Sequence, residues 1–310
     1  MNTSGMQYGA IISPIGDGVT ADGAKRWFLC EGCRSIFDTY LSVDNRPIRC
    51  PRCHGLVSRV SAIPPSPEGS ARQCEVKHAS TRVTRIICLA TSRKCSGRCI
   101  AGKTLGSESF GAVWVRPVSG RPSHEISDQE RRYANGHAVK LLEILDVPCL
   151  YAQPDRHQSE NILIDDRCCW TYRGTATSGL VTRCVDEPEP LWTTGYSTLH
   201  GRNDRVPEHL LDPGKGSLRF IALNGLTLDA GPKAPQFGNQ KFVVRASFDY
   251  AGSCYTLDVT DPIWESECCR RGQGRFSLGP VLACISLGTL WEGYAYKLVA
   301  SIIEPSMTTR

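Results

Sequence analysis

No apolar run in this chain of 310 residues approaches the ~20 residues that a membrane-crossing helix needs. The opening stretch, MNTSGMQYGAIISPIGDG, lacks the basic patch and apolar centre of a secretory leader. Strong charge bias is missing too: 36 Lys and Arg against 31 Asp and Glu leave a formal charge of +5. That balance permits a polyanion partner without demanding one. Helical periodicity is scarce, which argues against a fold alternating strands with helices. These absences predict a soluble cytoplasmic protein, not bound to membranes and built mainly from β-strands.

Cysteine, by contrast, is abundant, with 16 in the chain. In a reducing compartment they are expected as buried thiols or metal ligands rather than disulfides. The adjacent pairs Cys168-Cys169 and Cys268-Cys269 read as small buried residues. Cys30-x2-Cys33 and Cys50-x2-Cys53 have the spacing of a four-thiolate zinc site, each pair forming a tight knuckle. Four thiolates close the coordination shell, so one structural Zn2+ per chain is expected. His54 could compete as a ligand, but Cys53 is the better donor. The expected organisation is a flexible tail over 1–24, a zinc ribbon over 25–62 with a strand at 35–43, and a Pro- and Ser-rich linker over 63–80. Lys25, Arg26, Arg34, Arg46, Arg49, Arg52 and Arg59 make the ribbon basic, suited to nucleic acid or to protein docking.

Beyond the linker, residues 83–90 (VTRIICLA) form a continuous apolar, β-branched run, the pattern of a buried strand. Residues 97–104 then spell GxxxxGKT, the phosphate-loop pattern, which works only where the loop opens a helix whose amides hold phosphate. Gly106 and Gly111 interrupt any first turn, and 112–116 reads as another strand. One helix is predicted, over 127–145, with Ser127 and Glu130 at capping-box spacing. Later strands are expected at 160–164, 168–172, 218–222, 226–228, 279–287 and 294–303. The clearest hairpin joins 241–250 to 254–259 through Ala251, Gly252 and Ser253: Phe242, Val244, Ala246, Phe248 and Tyr250 alternate with polar residues.

Many short strands and one helix predict small β-barrels. Such barrels bind single strands with a basic groove and aromatic faces. The candidate contacts are Arg93, Lys94, Arg98 and Lys103, with Trp114 and Arg116 beside them, and Arg245 and Tyr255 in the later hairpin. Tyr250, Trp264, Arg270, Arg271 and Arg275 extend that second set. Each has a bland alternative: Trp114 as core, Arg116 paired with an acid such as Glu125, the hairpin as a solvated surface. His157 with Glu160, or Asp165 with Asp166, could suggest a metal-dependent nuclease, but no third ligand can be placed, and no catalytic residue is expected.

The runs SGRCIAGK (96–103), WVRPVS (114–119), Glu160-Asn161, Asp204-Arg205-Val206, RASFDYAGSCYTLDVTDPIWE (245–265), SLG (286–288) and YKLVASII (296–303) together resemble the dual OB-containing domain family of bacterial conflict and defence systems. The resemblance spans about residues 82–303. It implies two oligonucleotide-binding (OB) type barrels, over 81–195 and 196–310, meeting near Asp186 to Pro213. It also implies a non-enzymatic role in nucleic-acid binding or sensing within an antiphage defence assembly. Two other readings stay open: a protein-interaction or structural subunit of such a system, and a nucleotide-binding enzyme using Lys103, Thr104 and Asp165.

Overall fold

The computed structural model describes residues 20–30, 36–42, 57–60, 81–105, 112–232 and 242–307, the first three segments as backbone only. The chain divides into two units, Met1–Val76 and Lys77–Arg310. In the first, β1 (Thr20–Cys30), β2 (Ile36–Ser42) and β3 (Val57–Val60) form an antiparallel sheet with β1 in the middle. Of the four ligand cysteines expected from the sequence, Cys33, Cys50 and Cys53 lie outside the described residues, and Cys30 is described as the last backbone position of β1. Of the tail expected over 1–24, residues 1–19 lie outside them and 20–24 are the start of β1; the linker over 63–80 also lies outside them.

The second unit begins with β4 (Arg82–Lys94), which turns at Cys95-Ser96 into β5 (Gly97–Thr104). β6 (Trp114–Val118), β7 (Glu143–Ala152) and β8 (Asn161–Ile164) follow, and β9 (Thr171–Thr175) adds to the edge of β7. Hydrogen bonding runs β4-β5-β6-β8-β7, and β7 pairs back onto β4, closing a barrel of five strands. All pairs are antiparallel except β6 with β8. The barrel interior holds Ile86, Cys88, Ile100, Val115, Leu145, Val147 and Ile164.

The helix expected over 127–145 does not form, although its cap does. Ser127 N–H donates to Glu130 Oε2 at 2.7 Å, and Glu130 N–H donates to Ser127 Oγ at 3.2 Å. The chain then turns: Gly136 has φ +81°, Arg132 bridges to Ala138, and β7 starts at Glu143. Ile126, Tyr133 and Val139 are drawn into the barrel core, and their burial outweighs the local helical preference.

After α1 (Ser178–Thr182) and β10 (Arg205–Pro207), the chain builds β11 (Leu218–Leu223), β12 (Leu226–Pro232), β13 (Phe242–Tyr250) and β14 (Ser253–Val259). Then come α2 (Pro262–Arg271), β15 (Gly274–Leu278), β16 (Val281–Trp291) and β17 (Tyr294–Ile303). The sheet order is β11-β16-β17-β14-β13-β12-β15. Only Asn224 and Gly225 separate β11 from β12, and only Gly279 and Pro280 separate β15 from β16. Taken as two broken strands, they give the second sheet the connectivity of the first barrel, with β14 and β17 as its parallel pair. Its inward faces and α2 share one core, including Leu228, Val244, Phe248, Tyr255, Trp264 and Ile302.

The expected hairpin and the closing strand over 294–303 match β13–β14 and β17. The cysteine pairs need correction. Cys268 is buried, but Cys168, Cys169 and Cys269 are exposed, the first two in the turn after β8 and the third on the outer side of α2.

Candidate nucleic-acid interface

Residues on β4 divide between two cores. Ile86 and Cys88 fill the first barrel, whereas Ile87, Leu89 and Ala90 join Ala101 of β5 against Leu218, Phe220, Cys284, Ala300 and Ile303 of the second sheet. The outer face of β4 and β5 is therefore a seam between the barrels. In OB barrels the second and third strands and the loops beside them are the usual oligonucleotide face. Here the equivalent strands, β5 and β6, carry that seam.

Several expected contacts lie in it. Lys103 is 4% exposed, and its Nζ donates to Asp186 Oδ1. Trp114 Nε1 donates to Asp186 Oδ2 at 3.1 Å, and Lys103 Nζ stands 5.1 Å from the Trp114 ring centroid. Asp186 also exchanges hydrogen bonds with β11, accepting from Phe220 N–H at 2.8 Å through its side chain. Arg116 is 1% exposed, paired with Glu160 at 3.1 Å and donating to Ser286 Oγ of β16 at 3.2 Å. Glu160 in turn accepts from the Ser217 hydroxyl. Its partner is thus Glu160, not Glu125. The sequence reading missed Asp186 and Ser217; their only signal was proximity to the expected junction.

The other reactive-looking groups are also committed to structure. His157 Nε2 meets the Gly288 carbonyl at 2.9 Å, and burial lowers its pKa, keeping the ring neutral. Gln158 Nε2 donates to the Leu287 carbonyl at 3.1 Å. Asp165 is occupied by Arg167, with Nε at 2.7 Å, and by Thr81, bonds that hold its carboxyl well below the usual range. The phosphate-loop pattern lies along the strand β5 rather than in a loop. Its two glycines serve packing: a Cβ at Gly97 would stand 2.4 Å from the Ile126 carbonyl oxygen, and one at Gly102 would stand 2.1 Å from that of Ile87.

In the second barrel, Tyr255 is 1% exposed and stacks on Phe248 at 5.6 Å, while its hydroxyl accepts from Leu191 N–H. Trp264 is core, its Nε1 donating to the Ile302 carbonyl at 3.1 Å. Arg245 pairs with Asp258 at 3.0 Å, Arg270 and Arg271 share Glu267 at 2.7 Å, and Arg275 meets Asp229 at 3.3 Å. Lys297 is buried, donating to the Thr193 and Asn203 carbonyls; desolvation lowers its pKa to about 8 against the opposing pull of Asp204.

Four further basic side chains converge at one place. Arg93 reaches across the barrels to Glu265 of α2, with Nη2 at 2.6 Å, and its backbone N–H donates to the Thr260 carbonyl at 2.8 Å. Beside that link a cleft of about 860 Å³ has Arg98, Arg131, His137 and Lys140 on its first-barrel side and Ile263 and Met307 on the other. Arg98 and Lys140, like Lys94, form no ion pair among the described residues. Arg131 is shared with Asp128 at 2.8 Å. Glu143, the acid in the lining, accepts from the Tyr133 hydroxyl and from Lys140 N–H at 2.8 Å. Asp261 fixes the far wall: one carboxylate oxygen caps α2 at Ile263 N–H, and the other accepts from Ile302 N–H, each at 2.9 Å. Burial pushes its pKa up to about 6.

The cleft has the size of a small-ligand site. Its cations suit phosphate and its apolar wall suits the face of a base. Among the described residues no group of His, Cys, Asp and Glu could hold a metal ion, and no helix is long and apolar enough to cross a membrane. Residues 84–302 match the model of a family described as DuOB, dual OB-containing domain. Comparison with curated proteins finds no match.

Proposed function

Because the chain belongs to the dual OB-containing domain family, we propose that it binds single-stranded nucleic acid, without catalysis of its own, through the cleft between its barrels. The observation that carries this reading is the convergence of Arg98, Lys140 and Arg131 on one cleft, the first two without ion pairs among the described residues. Unpaired cations in a groove lower the cost of bringing a polyanion close, and releasing its counterions drives binding. The seam gives the role a logic: both barrels wall the cleft, so ligand held there touches both. Sensing within a bacterial defence assembly, with protein partners, is the setting proposed for this binding.

The test is titration of a fluorescent oligothymidylate at two ionic strengths. Affinity falls as salt rises, and the double reversal R98E/K140E weakens binding at least tenfold and flattens the salt slope by about two. Absence of binding at either ionic strength overturns the proposal. Lys103→Glu serves as contrast: its effect is on folding, because Lys103 is committed to Asp186.

We further propose a structural zinc in the first unit. Its support is the cysteine spacing together with the strand pairing: β1 ends at Cys30, opposite Val57, where β3 begins four positions after Cys53 in the sequence. Four thiolates suit tetrahedral Zn2+, which would cross-link that end of the sheet. Metal analysis of the purified chain gives about one zinc per protein, lost in Cys30→Ser; a metal-free wild type refutes it.

A further inference from the structure

The hairpin joining β16 to β17 carries a second surface that the cleft does not use. Glu292 and Gly293 make its turn with φ of +49° and +77°, the left-handed pair of a tight two-residue hairpin. Such a turn holds the flanking strands in fixed register. Trp291 lies directly opposite Tyr294, Tyr296 follows two positions on, and Arg205 of β10 is opposite Tyr296. Cross-strand partners and alternate residues share a sheet face. One face therefore displays Trp291, Tyr294, Tyr296 and Arg205, while the intervening Leu290 and Ala295 pack into the small core beneath.

The face is built and open. Trp291 is 62% exposed, and its ring is tilted on Tyr296 with centroids 5.8 Å apart. The Arg205 guanidinium stands 4.2 Å from the Tyr294 ring centroid, has no carboxylate partner among the described residues, and leaves its buried Nε unbonded. A nearby cation, Arg156, is already neutralised by Glu208. In the connectivity shared by both barrels, this turn occupies the place of the 153–160 connection of the first barrel. That connection is buried in the seam through His157 and Gln158, whereas its second-barrel counterpart is exposed.

We propose that this face is a base-stacking platform, taking unpaired bases of a single strand on Trp291 and a phosphate on Arg205. An exposed tryptophan beside further aromatic rings and an unpaired guanidinium is the combination that single-strand binders use regardless of sequence. The inference rests on the nucleic-acid reading above and adds a second contact to it.

The test uses the full chain and a fluorescein-labelled oligothymidylate of about 15 nucleotides, with affinity read by anisotropy and stacking read by intrinsic tryptophan fluorescence. Wild type binds with quenching. Trp291→Ala binds about tenfold more weakly with an unchanged melting temperature, and Trp291→Phe keeps most of the affinity but loses that part of the quenching. Wild type that binds while Trp291→Ala binds equally well, with equal quenching, overturns the platform and leaves the cleft standing. Wild type that does not bind at all overturns the nucleic-acid reading and the platform with it. Loss of affinity in Trp291→Ala with a lowered melting temperature, and no rescue by Phe, also counts against stacking.

Discussion

Asp146 sits between two guanidiniums, with Arg85 Nε and Arg173 Nε each at 2.6 Å, while its own side chain is only 6% exposed. The Arg85 hydrogen bond is the main cause that holds its carboxyl down to about 2, helped by Arg173 and opposed by partial burial. A carboxylate with a depressed folded pKa adds stability above its unfolded pKa of about 3.9, and that stability is lost as pH falls through the folded value. Asp146→Asn therefore costs about 1 kcal/mol at neutral pH, since both arginines are half-exposed and screened. The gap between variant and wild type closes as pH drops from about 4 to about 2, as urea unfolding at a series of pH values would read. A gap unchanged at pH 2 refutes the assignment. Gly97 and Gly102 teach a different lesson at this scale. Their spacing spells a phosphate loop, but each lies under a neighbouring carbonyl oxygen, a closeness that only glycine permits. Spelling alone could not distinguish backbone approached by phosphate from backbone approached by backbone.

At the scale of elements, β4 carried its own signal. The run IICLA is apolar at every position, the mark of a strand buried on both faces, and its two faces do enter two different cores. What sat against the second face was not legible, because periodicity reports burial and not the partner. The segment after β6 misled for the converse reason: its capping box was read correctly, but Tyr133 and Val139 belong to a core that helical spacing could not reveal. Within the seam, Arg116 and Glu160 of the first barrel form a nearly dehydrated ion pair. Arg116→Ala leaves Glu160 buried without its charge partner and costs about 3–5 kcal/mol, whereas Arg116→Met with Glu160→Met costs less than the sum of the single changes. Additive urea-denaturation energies across that cycle would refute the coupling.

For the molecule as a whole, the many short strands were enough to expect a mainly β fold of small barrels, and the family-like motifs to expect two of them. The proposed binding surface was less legible. Lys103, Trp114 and Arg116 had the composition of a nucleic-acid groove, and all three are used to join the barrels. Arg98 stayed a candidate, but Arg131 and Lys140, which stand with it, are 33 and 42 positions further along the chain and come together only once the first barrel is folded. Composition suggested the chemistry, and tertiary packing decided which of the candidate cations stay out of ion pairs among the described residues. That reasoning makes the cleft the centre of the account. Photo-crosslinking of a thiothymidine-containing single strand to the full-length protein, with adducts mapped by mass spectrometry, tests it most directly. The account predicts adducts in residues 131–143 and in Pro262–Arg271, suppressed by R98E/K140E. Efficient crosslinking that spares both segments would contradict it.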